Sequence, residues 1–195
     1  VFPQLNQGRT ALWENIENDG FRTIDHFPKE LVKRMDNAAM SVEFINGSIF
    51  RILGTNNDDD VEKLRGANSK IYVFSEFADS HPRALDIISP IITANGGKAV
   101  LNGTPKLDGR NGAAFEKMFN NMKDKPNALV SFRDAVGIIP AEDLELERQR
   151  SIDKYGNDFF FRQEYLCDFG QVSSGSYYGD KLSMIEKDNH MGAFA

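Results

Sequence analysis

Cysteine, histidine and long apolar runs are all scarce in this sequence of 195 residues. Its single cysteine, Cys167, excludes an intramolecular disulfide and favours a reducing, intracellular compartment. Because no nucleophile-like pattern surrounds it, Cys167 is expected to be a buried small apolar residue. The histidines His26, His81 and His190 lack the spacing of metal ligands, which argues against a zinc site. No apolar run approaches the roughly 20 residues that span a membrane.

An excess of positive charge and a phosphate-binding loop are also missing. Lysine and arginine total 23 against 29 aspartate and glutamate residues, so the net charge is −6 at pH 7. This balance excludes a broadly basic surface that coats nucleic acid, although it leaves room for a local basic groove. No G-x-x-x-x-G-K-[ST] motif occurs in the sequence. The chain begins with Val1-Phe2-Pro3, which reads like the end of a strand, and we expect it to be a piece of a longer protein.

The segments that are present predict an α/β fold. Ser41–Ile45 and Ile49–Leu53 alternate and are joined by Asn46-Gly47, which is typical of an antiparallel β-hairpin. After residue 70 strands alternate with helices, which favours a mainly parallel sheet flanked by helices. The other predicted elements are helices over 7–16, 29–35, 82–93, 113–122 and 140–155, a short helix or turn over 61–66, strands over 99–101 and 128–132, and a short buried segment over 159–166, whose Phe159, Phe160 and Phe161 are expected to be core rather than a base-stacking platform.

Two of the predicted strands end in polar loops that could carry chemistry. Ile71–Phe74 is predicted to be a fully buried parallel strand, and it ends on Ser75-Glu76. The next strand ends on 102–105, Asn-Gly-Thr-Pro. Because ligands bind at the carboxyl ends of parallel strands, Glu76 could orient water for attack on a phosphate, and Thr104 could sense the γ-phosphate. The alternatives are a strand that ends at a solvated glutamate and an ordinary turn at Gly103-Thr104.

Arg65 is a third candidate, since it stands eleven positions before Glu76 in the sequence Lys-Leu-Arg-Gly. A guanidinium beside a nucleotide can stabilise the charge of the transition state, as an arginine finger does. The alternative is an arginine on the surface with no catalytic role.

Several short segments follow one another in an order that is far more specific than any one of them. They are Phe2-Pro3, Gln7, Trp13, Asn46-Gly47-Ser48-Ile49, Leu53-Gly54, Leu64-Arg65-Gly66, Val73-Phe74-Ser75-Glu76-Phe77-Ala78, Pro90-Ile91, Asn95-Gly96-Gly97, Asn102-Gly103-Thr104-Pro105-Lys106 and Arg162-Gln163-Glu164-Tyr165. In this order they closely resemble the ATPase domain of terminase large subunits of tailed bacteriophages, the motors that pump DNA into proheads. The resemblance covers essentially the whole chain and implies a P-loop NTPase-like fold (ASCE or RecA type).

The resemblance implies a role for each matched residue. Glu76 matches the Walker B catalytic glutamate, and Ser75 falls where many members have the aspartate that holds Mg²⁺ through its water shell. Ser75 and Glu76 would therefore contact Mg²⁺ through water. Gly103 and Thr104 belong to a segment like the coupling motif that links γ-phosphate loss to movement. Arg65 is similar to the arginine that some members insert into a neighbouring subunit's site.

The resemblance also implies the wider setting of the chain. Residues 1–170 would form the ATPase domain, and residues 171–195 would be a linker toward a nuclease domain. The cofactors would be ATP and Mg²⁺. The partners would be double-stranded DNA, the portal protein, the small terminase subunit and sister subunits in a homo-oligomeric ring, with no membrane. The site of action would be the host cytoplasm, docked on the prohead.

Two other functions stay open at the level of sequence. Family members carry their P-loop upstream of the segment that matches Val1, so this chain alone is expected to bind ATP weakly or not at all. It could then be a catalytically inactive interaction module. Another P-loop motor such as a helicase would share the acid at the strand end, but not the segment Arg162–Tyr165.

Overall fold

The structure, a computed structural model, describes residues 1–106, 108–122 and 139–169. It is a mixed α/β fold that divides into two compact units, Val1–Gly103 and Thr104–Ala195. The predicted strand over 128–132 and the predicted linker over 171–195 lie outside the described residues. Across the described ranges, no helix combines the length and the apolar character needed to cross a membrane.

The first unit contains the predicted hairpin within a three-stranded antiparallel sheet. Its strands are β1 (Val32–Asp36), β2 (Ser41–Phe44) and β3 (Ile49–Arg51), in the order β1-β2-β3. The hairpin is confirmed, and Gly47 takes the positive φ of +82° that its turn requires. The buried residues around this sheet form one hydrophobic cluster of Phe2, Trp13, Ile24, Met40, Val42 and Ile52.

Two predicted helices in this unit are wrong in part. The segment 29–35 is not a helix, because a single 3₁₀ turn over Lys29–Leu31 leads straight into β1. Pairing of β1 with β2 satisfies its backbone and outweighs the helical pattern. The first helix runs only over α1 (Leu5–Gly8) and a π-helical turn, Arg9–Trp13. It stops there because the buried Trp13 side chain donates from Nε1 to Asn37 Oδ1 at 3.1 Å, which fixes the end of the helix against the sheet.

Two of the three strands predicted for the parallel sheet pair with each other, and a helix joins them. β4 (Ile71–Phe74) pairs with β5 (Lys98–Leu101) in parallel, in a register that places Phe74 opposite Leu101. The connection is α3 (Ala84–Asn95), which ends at Gly96 with φ +59°. A Cβ on the next residue, Gly97, would lie 2.3 Å from Lys70 O, so only glycine permits this approach of the chain to the start of β4. The segment 61–66 forms the end of α2 (Asp58–Glu62) and the start of a 3₁₀ turn over Arg65–Ala67.

The prediction that β4 is fully buried is wrong. Its residues alternate, with Tyr72 and Phe74 at 2% and 0% exposure but Ile71 and Val73 at 65% and 52%. Val100 on β5 is 50% exposed. The described part of the chain therefore covers one face of the parallel sheet and leaves the other face open, whereas parallel sheets are normally covered on both sides.

Residues 1–3 lie in the sheet beside β4, as expected for a segment that reads like the end of a strand. The α-amino nitrogen of Val1 donates to Val73 O at 2.6 Å, and Ser75 N donates to Val1 O at 2.8 Å. On the other side Phe2 pairs in parallel with Gly54. The segment thus joins β4 to the stretch that follows β3.

In the isolated 195-residue chain, we expect the α-amino group of Val1 to make stability depend on pH. Burial lowers the pKa of this group from 8.0 to about 6. Since the folded state then binds the proton less tightly than the unfolded state, stability is full above pH 8 and falls as the pH drops toward 6. Because Val1 is only half-buried, solvent screening limits the loss to about 1–2 kcal/mol.

Chemical denaturation at several pH values between 6 and 8 measures this effect. The control is the same chain extended before Val1, in which a peptide N–H replaces the amine and the histidines are unchanged. The expected slope is steeper in the chain with the free amine. Parallel profiles for the two chains would contradict the prediction.

The described part of the second unit is helical. Its helices are α4 (Gly112–Asn121), α5 (Ala141–Tyr155), which Pro140 precedes as predicted, and α6 (Phe159–Leu166). The aromatic segment at the start of α6 is core only in part. Phe161 is buried and stacks on Tyr165 at 5.1 Å, but Phe160 is 44% exposed.

The expectation of a buried Cys167 is wrong. This residue is half-buried and caps the end of α6 in the left-handed region, with φ +52°. The left-handed conformation ends the helix at this position.

Candidate functional site

The polar loops after β4 and β5 lie side by side at the carboxyl end of the parallel sheet. Asn102 N donates to Phe74 O at 2.9 Å, and Phe77 N donates to Asn102 O at 2.9 Å. The parallel ladder therefore continues for one residue beyond the strands and holds the two loops together. The expectation that both loops lie at one edge of one sheet is confirmed.

Glu76 has an unusual backbone at this edge. Its φ and ψ are both 54°, which lies in the left-handed region of the Ramachandran plot. Residues other than glycine rarely adopt this backbone conformation. The conformation costs about 1–2 kcal/mol relative to the right-handed one. It is held by a 3₁₀ turn over Phe77–Asp79, whose Phe77 and Ala78 are each 1% exposed. Strain of this kind, fixed by a buried anchor, is found at sites where a side chain must be aimed.

Gly103 makes the tight fit around Glu76 possible. A Cβ at position 103 would lie 3.1 Å from Glu76 Cα and 3.1 Å from Phe77 N. Both are backbone atoms of a turn whose next side chains are buried, so they have little freedom to retreat. The absence of a side chain at Gly103 therefore lets the two loops pack closely at Glu76. This steric role was not predicted from the sequence.

Ser75 and Glu76 supply a hydroxyl and a carboxylate, and both residues are half-buried. Such oxygens suit Mg²⁺, which keeps most of its water shell and takes one or two protein ligands. Across residues 1–106, 108–122 and 139–169, no group of three or more His, Cys, Asp or Glu side chains is placed to hold a metal. A hydroxyl and a carboxylate of this kind fit a hydrated Mg²⁺, which they could contact through its water molecules.

Thr104 is the first residue of the second unit, and it is half-buried. Its carbonyl accepts a hydrogen bond from Lys106 N at 2.9 Å, and Pro105 between them is buried. The predicted segment Gly103-Thr104 therefore spans the boundary between the two units.

Arg65 lies on the surface next to α2. Its side chain is 57% exposed, and its Nε donates to Glu62 Oε2 at 3.0 Å. Glu62 also accepts from Arg83 Nη2 at 2.8 Å. The hydrogen bond from Arg65 lowers the pKa of Glu62, and the charge of Arg83 lowers it further. Exposure is compatible both with a surface arginine and with one that reaches a neighbouring molecule.

Thr55 is a residue of this edge that the sequence analysis missed. It is fully buried, and its hydroxyl donates to Phe2 O at 3.2 Å and accepts from His81 N at 3.2 Å. It thus connects three segments behind the loop that carries Glu76. The sequence carries a weak signal for it, because Thr55 is a polar residue that follows the predicted strand Ile49–Leu53 after a single glycine, Gly54.

In the second unit, a cleft of about 460 Å³ lies between α5 and α6. Its floor includes Leu144 and Phe161, and its rim carries Arg148 and Arg162. Each of these arginines is paired with a carboxylate, at Glu145 and Asp168 respectively. The balanced charges give the cleft no preference for an anion.

No protein-family model, no curated protein and no solved structure matches the chain.

Proposed function

We propose that this chain is the ATPase portion of a viral DNA-packaging motor, a terminase large subunit with a P-loop NTPase-like fold. The observation that carries the proposal is the placement of Glu76. It stands in a strained backbone conformation at the end of a parallel strand, against the loop of the neighbouring strand. Nucleotide-hydrolysing α/β proteins place their water-orienting group at this edge of the sheet. The ordered segments of the sequence support the same function.

In this proposal Glu76 orients the attacking water. Its carboxylate accepts a hydrogen bond from the water and aligns it with the γ-phosphate. The left-handed backbone and the buried Phe77 fix the direction from which the carboxylate acts. A fixed acceptor needs no reorganisation as charge develops.

The neighbouring residues complete the proposed site. Ser75 and Glu76 would hold Mg²⁺ through its water molecules, and the bound ion would neutralise charge on the phosphates. Thr104 would sense the γ-phosphate, and Arg65 would reach the site of a neighbouring subunit. Coupling of hydrolysis to the movement of double-stranded DNA would then pass through the segment Gly103-Thr104.

Steady-state ATP turnover by the full-length protein tests the proposal. We expect hydrolysis that requires Mg²⁺ and increases when double-stranded DNA is added. A full-length protein that hydrolyses no ATP under either condition would overturn it.

The isolated 195-residue chain is expected to bind ATP with a dissociation constant weaker than about 1 mM. The reason is that its sequence holds no G-x-x-x-x-G-K-[ST] loop, whose amides and lysine grip the β- and γ-phosphates. Isothermal titration calorimetry with ATP and Mg²⁺ measures this affinity, with the full-length protein as the positive control. Saturable micromolar binding to the isolated chain would contradict the prediction.

A second candidate is a catalytically inactive interaction module. The open face of the parallel sheet favours it, because Ile71, Val73 and Val100 present apolar side chains that the described residues do not cover. Such a module would keep its stability and its partners when Glu76 is replaced. ATP turnover by the full-length protein separates the two candidates.

A further inference from the structure

Arg65 combines a fixed backbone with an exposed side chain. The preceding residue, Leu64, is fully buried, and its carbonyl accepts hydrogen bonds from Tyr72 Oη at 3.1 Å and from Ala67 N at 3.2 Å. Tyr72 is itself 2% exposed and belongs to β4. The main chain at Arg65 is thus tied to the core, while its guanidinium stands in solvent at 57% exposure.

Glu62 is the carboxylate that holds this guanidinium, and it has two cationic partners. Arg65 Nε contacts Oε2 at 3.0 Å, and Arg83 Nη2 contacts Oε1 at 2.8 Å. Arg83 also binds Asp58 through Nη1 at 2.9 Å, so it is itself held at two points on α2. The hydrogen bond from Arg65 and the charge of Arg83 hold the pKa of Glu62 below its ordinary value. The carboxylate is therefore ionised at neutral pH.

The pairing of Arg65 with Glu62 leaves donors of the guanidinium unused. Only Nε of Arg65 contacts Glu62, and among the described residues neither Nη atom has a hydrogen-bond partner. A guanidinium binds a phosphate best through two parallel N–H groups. Arg65 can thus engage an anion through Nη before it gives up Glu62.

Release of Arg65 from Glu62 also requires little free energy. Both side chains are exposed, at 57% and 43%, and exposed ion pairs contribute little to stability. After release Glu62 keeps Arg83 as its counter-ion, so no carboxylate is left unpaired. The ion pair with Glu62 therefore orients the Arg65 side chain and can still be broken at little cost in stability.

We propose that Glu62 is a positioning residue for Arg65, which it holds extended toward a phosphate in a neighbouring subunit and releases when that phosphate binds. This inference rests on the proposed function, since it needs an ATPase ring in which Arg65 acts in trans. It adds a residue of α2 that acts through Arg65 and does not touch the nucleotide.

Mixed rings of the full-length protein test the inference. Donor subunits carry Glu76→Gln, which disables their own site but leaves Arg65 intact. Acceptor subunits carry Arg65→Ala, which removes the finger but leaves the site intact. Neither type hydrolyses ATP alone, and mixing them is expected to restore turnover. Glu62→Gln is then added to the donor, and kcat and KM for ATP are measured.

We expect Glu62→Gln in the donor to lower the restored kcat about tenfold with little change in KM, because a misplaced catalytic group slows the chemical step. The matched control is Asp60→Asn in the donor, which removes an ion pair of the same helix and spacing, with Lys63 at 2.7 Å. The control is expected to leave the restored kcat unchanged. This pattern supports the inference.

Three other results would overturn it, and they are distinguishable. If mixing restores no turnover, Arg65 does not act in trans, and that part of the proposed function fails as well. If Glu62→Gln and Asp60→Asn in the donor act alike, the proposed function stands and Glu62 has no positioning role. If Glu62→Gln lowers kcat equally from donor and acceptor, its effect is structural.

Discussion

Replacement of Glu76 by glutamine is expected to lower kcat for ATP hydrolysis by the full-length protein about 10²- to 10⁴-fold. Glutamine has the same shape as glutamate, so the turn over Phe77–Asp79 and the contact with Gly103 should stay in place. What is lost is the negative charge that accepts the hydrogen bond of the attacking water. Steady-state turnover at saturating ATP measures the effect, and KM should change little.

Two further variants separate the loss of a catalytic group from a loss of structure. Asp79→Asn removes a carboxylate three residues away in the same turn and should leave most of the activity. Glu76→Gly should abolish turnover yet unfold at the same or a higher denaturant concentration, because glycine takes the left-handed region without strain. Undiminished hydrolysis by Glu76→Gln would remove the central assignment.

Gly103→Ala is expected to lower both activity and stability. The new Cβ would lie 3.1 Å from Glu76 Cα and from Phe77 N, and the φ of +157° at this position already disfavours a side chain. The turn must shift by a few tenths of an ångström, at a cost of about 1–3 kcal/mol. Since Glu76 moves with the turn, kcat should fall about 10- to 100-fold. Chemical denaturation and ATP turnover measure the two effects.

Gly66→Ala is the matched control for this variant. No atom lies within 4 Å of a Cβ at position 66, and no positive φ is required there. Its stability and activity should stay close to those of the unmodified protein. The interpretation of Gly103 fails if Gly103→Ala and Gly66→Ala behave alike.

The sequence predicted those parts of the fold that strong local signals specify. Asn46-Gly47 predicted the hairpin because few other residue pairs fit its turn. The apolar runs before Ser75 and Asn102 predicted two parallel strands, because each run is short and ends on polar residues. From this pairing the adjacency of the two loops followed.

The features that were missed depend on tertiary contacts. The sequence of β1 has no strong strand pattern, and this segment is a strand because it pairs with β2. The left-handed backbone of Glu76 could not be predicted, because glutamate rarely adopts it and no glycine marks the position. The exposure of Ile71 and Val73 was missed, because the sequence pattern shows that a segment is apolar but does not show which other elements cover it.

The open face of β4 gives Glu76 a second effect on the chain. The run Ile71-Tyr72-Val73-Phe74 is uncharged and rich in β-forming residues, the composition from which cross-β stacks assemble. Lys70 before it and Glu76 shortly after it are charges of the kind that act as gatekeepers against such stacking. Because Glu76→Gln removes one gatekeeper, this variant is best assayed at low protein concentration, where a loss of turnover cannot be mistaken for precipitation.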